Sequence, residues 1–457
     1  MIILSIVLVL GISTIFWSLA GLLRAANEQS WRARQVVDGM RSLGSRLRGR
    51  GPLPVRRVRA KHRAKGTRIY PANVAVLVAA HNEELVIQET ILAASKLVPR
   101  RNIHVVSDMS TDNTAAIARR AGVKVLELEP NRGKAGALAA GIAHFGLCKR
   151  FKVVMLLDAD TRPMPDYLET GLPLFSDPTV VAVAGRAKSI MSPPPPTAIG
   201  RFLVAYRERL YIVVQLLLKY GQAARGANVV SIVPGFASMY RTSALAEIEV
   251  LAPGLVIEDF NMTFEIHAKK LGRIAFHPSA AVAYTQDPDT MKDYIKQVRR
   301  WILGFWQTVR RHHMQPSRFW FVLVLYIVEL LASCVFFVLL LPVFLVSSIA
   351  ALQVWVFGNH WEGFVALSGV LRPQDVLIGV FLPDLLLTVL AAFTMRRPRL
   401  LLMAPLFPLM RILDAFICLQ VLPRAFSASS SGVWVSPVRR IQRPAQELKP
   451  REEAVVG

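Results

Sequence analysis

Residues 2–24, "IILSIVLVLGISTIFWSLAGLLR", are apolar for long enough to span a bilayer as one helix. From about Tyr70 to His313 the pattern changes. Short β-rich runs, "NVAVLVAA", "IHVVS", "VKVLELE", "KVVMLL" and "VVAVAG", alternate with helix-like segments near 83–95, 113–121 and 134–147. That alternation predicts an α/β domain with a mainly parallel sheet and helices on both faces. "SPPPPT" at 192–197 reads as a rigid surface connection. After His313 the chain is apolar again. Residues 319–357 are almost uncharged and interrupted by Pro342; 376–395 and 400–422 are further candidate spans, separated by "RRPR" at 396–399. One span in 319–357 puts "RRPR" inside and the tail outside, two spans do the reverse, and a re-entrant segment reconciles them. The C-terminal count stays at three or four.

Between the two regimes lies "KQVRRWILGFWQ", 296–307. On a helix Gln297, Arg300 and Trp301 stand at i, i+3 and i+4 and share a face. Ile295, Val298, Ile302, Phe305 and Val309 form a second stripe with the period of a buried or lipid-facing surface. The expected organisation is an N-terminal transmembrane helix (1–24), a basic cytoplasmic linker (25–69) and a catalytic α/β domain (70–287). An amphipathic interface helix (288–316), C-terminal transmembrane segments (317–424) and a basic tail (425–457) follow.

Composition supports the membrane reading, since 53% of the 457 residues are hydrophobic. A net charge of +24 would fit a nucleic-acid binder, but its distribution does not. The basic residues crowd between Arg32 and Arg68, directly after the first apolar run, and recur at Arg439 and Arg440. This is the positive-inside pattern, with contact to anionic membrane lipids as a second role. It puts the N-terminus outside and residue 32 onward in the cytoplasm. Without aromatic interleaving or a nucleic-acid module, no nucleic-acid partner is expected. A cleaved signal peptide would want a basic start and a shorter apolar run. Cys148, Cys334 and Cys418 lie far apart and support no disulfide framework.

The candidate chemistry sits where strands end. "VVMLLDADTRP" ends a buried strand in Asp158-Ala159-Asp160, at the edge where open α/β sheets bind ligands. Period-two alternation points both carboxylates one way, suited to a hard divalent cation against a diphosphate; a lone pair of this kind also makes an ordinary turn. "VLVAAHNEE" ends another strand with Asn82 and Glu83, and "IHVVSDMSTDNT" a third with Asp108. Ser110 or Thr111 in the latter could also cap a helix. Three neighbouring strands with polar ends make a nucleotide cleft, while the absence of GxGxxG and GxxxxGK[ST] removes support for dinucleotide and P-loop sites. Lys134 in "NRGKAGAL" stands near a helix start, where a cation and free amides meet phosphate; a solvated surface lysine is the plain alternative. Glu258 and Asp259 open an amphipathic helix, as helix-dipole partners or with a carboxylate as general base. "VPGFASMYR" upstream offers Gly235 in a tight turn and Ser238 to line a sugar pocket.

Together, Asn82-Glu83, Asp108, Asp158-Ala159-Asp160, Glu258-Asp259 and Gln297-x-x-Arg300-Trp301 resemble the family 2 glycosyltransferases over roughly residues 70–310. The set is most similar to their membrane-embedded processive branch, the cellulose, chitin, hyaluronan and poly-N-acetylglucosamine synthases. "GVWVSPVRR" after the last apolar segment resembles the tail of bacterial poly-N-acetylglucosamine synthases, and "PGFASMYR" is closer to hyaluronan and chitooligosaccharide synthases. The resemblance implies a GT-A fold, a UDP-sugar donor (UDP-GlcNAc or UDP-glucose) and Mg²⁺ or Mn²⁺. It assigns the nucleotide base to Asp108, diphosphate and metal to Asp158 and Asp160, and base catalysis to Asp259. Gln297, Arg300 and Trp301 would border the acceptor and diphosphate, with Trp301 stacked on the acceptor sugar. The implied function is inverting transfer to a growing polysaccharide that is threaded through the membrane of a bacterial cell. Single transfer to a lipid, giving a glycolipid, is the alternative; an inactive membrane scaffold is a weaker one. Ser107 and Met109 depart from the usual Asp-Asp-Gly, and Ile257 replaces the usual Thr before Glu-Asp.

Overall fold

The computed structural model describes residues 2–47 and 68–427. The remainder of the basic stretch between Arg32 and Arg68, and the tail with "GVWVSPVRR", Arg439 and Arg440, lie outside the described residues. The strands are β1 Val74–Ala80, β2 Ile103–Asp108, β3 Lys124–Leu128, β4 Val153–Asp158, β5 Arg162–Pro163, β6 Val180–Ala184, β7 Arg186–Ser189, β8 Ala237–Arg241, β9 Arg273–Ala275 and β10 Val282–Thr285. Seven of them make one sheet in the order β3-β2-β1-β4-β8-β6-β9. All neighbours are parallel except β8, which runs antiparallel to β4 and β6. β5, β10 and β7 form a small second sheet.

The apolar runs are continuous because the sheet is covered on both faces. Val74, Val76 and Val78 pack with Ile87, Ile91 and Phe175 on one face. Ala75, Leu77 and Ala79 pack with Leu138, Tyr240 and Met262 on the other. In register, Ala80 of β1 lies beside Ser107, and Ala79 beside Asp158. The polar ends of β1, β2 and β4 therefore reach one edge together. The GT-A-type α/β architecture expected from the sequence is the one found.

Among the described residues, three helices are long and apolar enough to cross a membrane: Arg318–Trp355, Glu362–Met395 and Pro398–Ser427. The first continues through Pro342, which settles the region 319–357 as one helix. The N-terminal run differs from expectation. It is not one helix over 2–24 but Ile2–Leu10 and Ile12–Leu47, bent by 61°. Gly11 turns the chain at φ +84°. Each broken end is met by a side chain of suitable sign: Glu329 accepts from Ser13 N at 2.9 Å, and Arg411 donates to Val9 O at 2.7 Å.

Helix Ala198–Ile212, counted with the α/β domain by sequence, packs against these segments. Arg209 pairs with Asp384 at 2.6 Å, and Glu208 with Arg397 of "RRPR" at 2.9 Å. The amphipathic helix is Met291–Arg311, capped by Thr290 Oγ1, which accepts from Asp293 N. Its apolar stripe faces protein rather than lipid. Val298 packs with Leu203, Phe407 and Val421, and Phe305 with Trp320 and Cys418.

Candidate active site

At the end of β4, Asp158 is anchored by its own N–H, which donates to Phe236 O at 2.9 Å. Lys134, in the first turn of helix Gly133–His144, places its ammonium 2.7 Å from Asp158 Oδ1 and 2.9 Å from Glu258 Oε1. Lys134 is thus no solvated surface lysine but the cation at the centre of an acidic cluster. Burial raises the Asp158 carboxyl, Asp160 and Glu258 add to the rise, and Lys134 offsets only part of it. Burial would also raise Glu258, but Lys134 and, farther off, Arg300 outweigh it and hold that carboxyl low. Asp160 is buried beside them, and Thr161 Oγ1 donates to its Oδ1 at 3.3 Å.

Asp259 opens helix Glu258–Ala268 and receives N–H bonds from Gly235 at 3.3 Å and Phe260 at 2.8 Å. Burial, with the Glu258 charge, pushes its carboxyl up to about 6. A carboxylate so placed is ionised at neutral pH yet basic enough to take a proton. Gly235 lies directly over the cluster: a Cβ there would meet Glu258 Oε1 at 3.0 Å and Lys134 Nζ at 3.1 Å.

The segment that leads into Glu258 and Asp259 is fastened to helix Met291–Arg311. Gln307 Oε1 accepts from Val256 N at 3.1 Å. Gly304 sits so close to Ile257 that an added Cβ would meet its side chain at 2.8 Å. Ile257, the departure from the family pattern, fills this contact. On the same helix Gln297 accepts from an Arg207 N–H group and Trp301 stacks on that guanidinium, while the charge of Arg300 helps to hold the Glu258 carboxyl low.

The remaining predicted residues have more structural surroundings. Asp108 is wholly buried; its Oδ1 accepts from Arg132 N at 2.8 Å, while Oδ2 has no partner among the described residues. Burial raises its carboxyl against the Arg132 and Gly133 amides. Asn82, at φ 54°, ties the β1 and β2 loops through Thr111 N, which donates to its Oδ1 at 2.8 Å. Glu83 is buried, and its N–H donates to Thr114 Oγ1 at 2.8 Å. Ser238 is wholly buried. Its hydroxyl donates to Pro234 O at 2.7 Å and accepts from Gly185 N, so it braces the turn that carries Gly235. Ser110 and Thr111 do not cap the following helix. Asn113 is its N-cap residue, and Asp112 Oδ1 accepts from Thr114 N.

Arg207, Asp287, Gly304 and Gln307 were not singled out from sequence. Only Gly304 and Gln307, within the QxxRW helix, carried any signal there. For a metal, the donor set on offer is the carboxylates of Asp158 and Asp160, hard oxygen ligands. Among the described residues no group of three His, Cys, Asp or Glu side chains forms a metal cage. The pair therefore suits an ion that completes its shell with phosphate oxygens and water, as Mg²⁺ does.

Acids gathered at one edge of a mainly parallel sheet, with an amphipathic helix laid beside Glu258 and Asp259, fit the glycosyltransferase class. The family model described as "Glycosyltransferase like family 2" matches residues 71–304, and the chain belongs to that family. It is 26% identical over 260 residues to a poly-beta-1,6-N-acetyl-D-glucosamine synthase of Staphylococcus epidermidis, covering 52% of this chain and 57% of that one. It is 30% identical over 246 residues to the probable glycosyltransferase YdaM of Bacillus subtilis, covering 50% and 54%. The chain thus aligns with little more than half the length of these relatives. Among solved structures, a mannosyltransferase from Pyrobaculum calidifontis, in complex with GDP-Man and Mn²⁺, matches at 17% identity and a TM-score of 0.45, covering 86% of this chain and 99% of that one.

Proposed function

We propose that this chain is an inverting glycosyltransferase that moves a hexose or N-acetylhexosamine from a UDP-sugar to a growing polysaccharide and passes the product through its own membrane segments. The observation that carries the reading is the fastening of the QxxRW helix to the loop that leads into Glu258 and Asp259, through Gln307 and Gly304. It holds the segment that leads into Asp259 against the helix that carries Arg300 and Trp301. Similarity to poly-beta-1,6-N-acetyl-D-glucosamine synthases supports UDP-GlcNAc as donor, with UDP-glucose next.

Asp259 takes the proton of an acceptor hydroxyl, whose oxygen attacks the anomeric carbon as UDP leaves from the opposite side. Lys134 sits where its charge meets the departing diphosphate. Asp108, with one buried oxygen unpartnered among the described residues, supplies an acceptor for an N–H of the nucleotide base. Asp158 and Asp160 would hold Mg²⁺ or Mn²⁺, which supplies further stabilisation of the diphosphate charge. The α/β domain lies on the cytoplasmic face, as the basic stretch after the first apolar run indicates. A second reading, transfer of one sugar to a membrane lipid, shares every catalytic group.

Membranes carrying the chain, with and without Asp259→Asn, are given UDP-GlcNAc or UDP-glucose with Mg²⁺ or Mn²⁺, and UDP release and product size are measured. Polymer from one donor, lost in the variant, is the expected result. UDP release with only a lipid-sized product selects the second reading. No release from either donor overturns both donor assignments.

A further inference from the structure

The largest wholly buried side chain in the described protein belongs to no motif above. Arg207, on helix Ala198–Ile212, is 1% exposed. A buried guanidinium is costly unless its charge and N–H groups are met. Its Cζ lies 4.1 Å from the centroid of the Trp301 ring and 5.2 Å from that of Tyr294, and an N–H group donates to Gln297 Oε1. Tyr294, Gln297 and Trp301 follow one another at i, i+3 and i+7 along a single helix face. One cation therefore grips the face from which two of the three QxxRW side chains project. Its charge is also felt by Tyr211 and Asp287. The Tyr211 hydroxyl donates to Asp287 Oδ1 at 2.7 Å.

We propose that Arg207 is a positioning residue for transfer. It fixes the plane of Trp301 and the amide of Gln297. This rests on the reading that Trp301 borders the acceptor. With one face of the indole stacked on the guanidinium, the acceptor sugar is left the other face, so its register against the donor is set from outside the QxxRW motif. Stacking and hydrogen bonding at once require a planar, forked cation. A lysine ammonium keeps the charge but cannot do both.

The test uses the full chain in lipid nanodiscs, with UDP-GlcNAc, Mn²⁺ and an N-acetylglucosamine oligomer as acceptor. Arg207→Lys should cut transfer about tenfold or more through the acceptor KM, as misplacement of a reacting partner does, and leave UDP affinity unchanged. Trp301 emission, taken as the difference from Trp301→Phe in each background, should become more open to acrylamide in Arg207→Lys. Unchanged transfer, unchanged quenching, or UDP affinity falling in step with transfer would each overturn the proposal. Should Arg207→Lys not fold, Gln297→Ala removes the same hydrogen bond from the less buried side. It must reproduce the acceptor-KM effect, and an unaltered acceptor KM there counts equally against Arg207. If the unmodified chain transfers from no donor, the functional reading fails, while the quenching experiment still decides whether Arg207 holds Trp301.

Discussion

Two clusters of charge among the described residues are composed differently. At the carboxyl edge of the sheet, Asp158, Asp160, Glu258 and Asp259 gather around Lys134, so acids outnumber the close cation. Among the membrane-side helices the balance is reversed or even: Asp384 meets Arg209 at 2.6 Å and Arg411 at 3.3 Å, and Glu208 meets Arg397 at 2.9 Å. An uncompensated cluster is costly to maintain and stands ready for a positive partner. A matched set is self-contained and fastens one element to another. The first pattern suits chemistry and the second assembly, and substitutions in the two regions should fail in different ways.

The largest expected effect is at the cleft. Asp259→Asn should lower transfer by about 10²- to 10⁴-fold, the usual contribution of a positioned general base, with no loss of folded protein. UDP release and thermal unfolding measured on the same preparation check this. A variant that unfolds early would return Asp259 to a structural role.

Asp384→Ala should do the opposite. It strands Arg209 and Arg411 in the interior, a change that costs about 3–5 kcal/mol when one partner of a buried pair is removed. The midpoint of thermal unfolding in nanodiscs should fall, while turnover per folded molecule changes little. Equal stability in the variant would show that these arginines find water or lipid headgroups, and the contrast between the regions would dissolve.

The acidic excess also predicts a pH profile. Burial and the Glu258 charge hold the Asp259 carboxyl at about 6. The carboxylate is the active form, so transfer should be constant above that value and fall about tenfold per unit below it. Glu258→Gln removes one of the two upward pushes and should move the midpoint to lower pH. A midpoint that stays in place assigns the titration to another group.

Much of the cleft was legible in the sequence because it is local. Asp158, Asp160, Glu258 and Asp259 mark the ends of predicted elements; strand register carries Asp158 to the edge, and contacts with Lys134 and Gly235 bring Glu258 and Asp259 to it. The membrane-side set was not legible, for a physical reason. Arg209 and Asp384 are far apart in the chain, and each alone looks like an ordinary polar residue near an apolar run. The same holds for Arg207, which reads as one charge in "YRERLY" until helix packing buries it against Trp301. The break at Gly11 escaped because composition over residues 2–24 is uniform, whereas the bend depends on Glu329 and Arg411 from distant helices. Ser238 shows the converse: its place beside Gly235 was plain from sequence, but not that its hydroxyl is spent on Pro234 and Gly185.

The smallest effect tests whether the two regions are mechanically joined, at Gly304. A Cβ added there meets Ile257 Cβ at 2.8 Å and its Cγ1 at 3.0 Å, closer than side-chain atoms pack, so the helix or the loop must give. Overpacking of this kind costs about 1–3 kcal/mol. Gly304→Ala should therefore shift the loop that carries Glu258 and Asp259 and lower transfer more than it lowers donor affinity. Ile257→Ala in the same chain removes the atoms that clash and should restore part of the lost transfer. A double variant no better than Gly304→Ala alone would mean that the helix yields instead of the loop. The catalytic edge would then be insulated from the membrane-side helices it rests on.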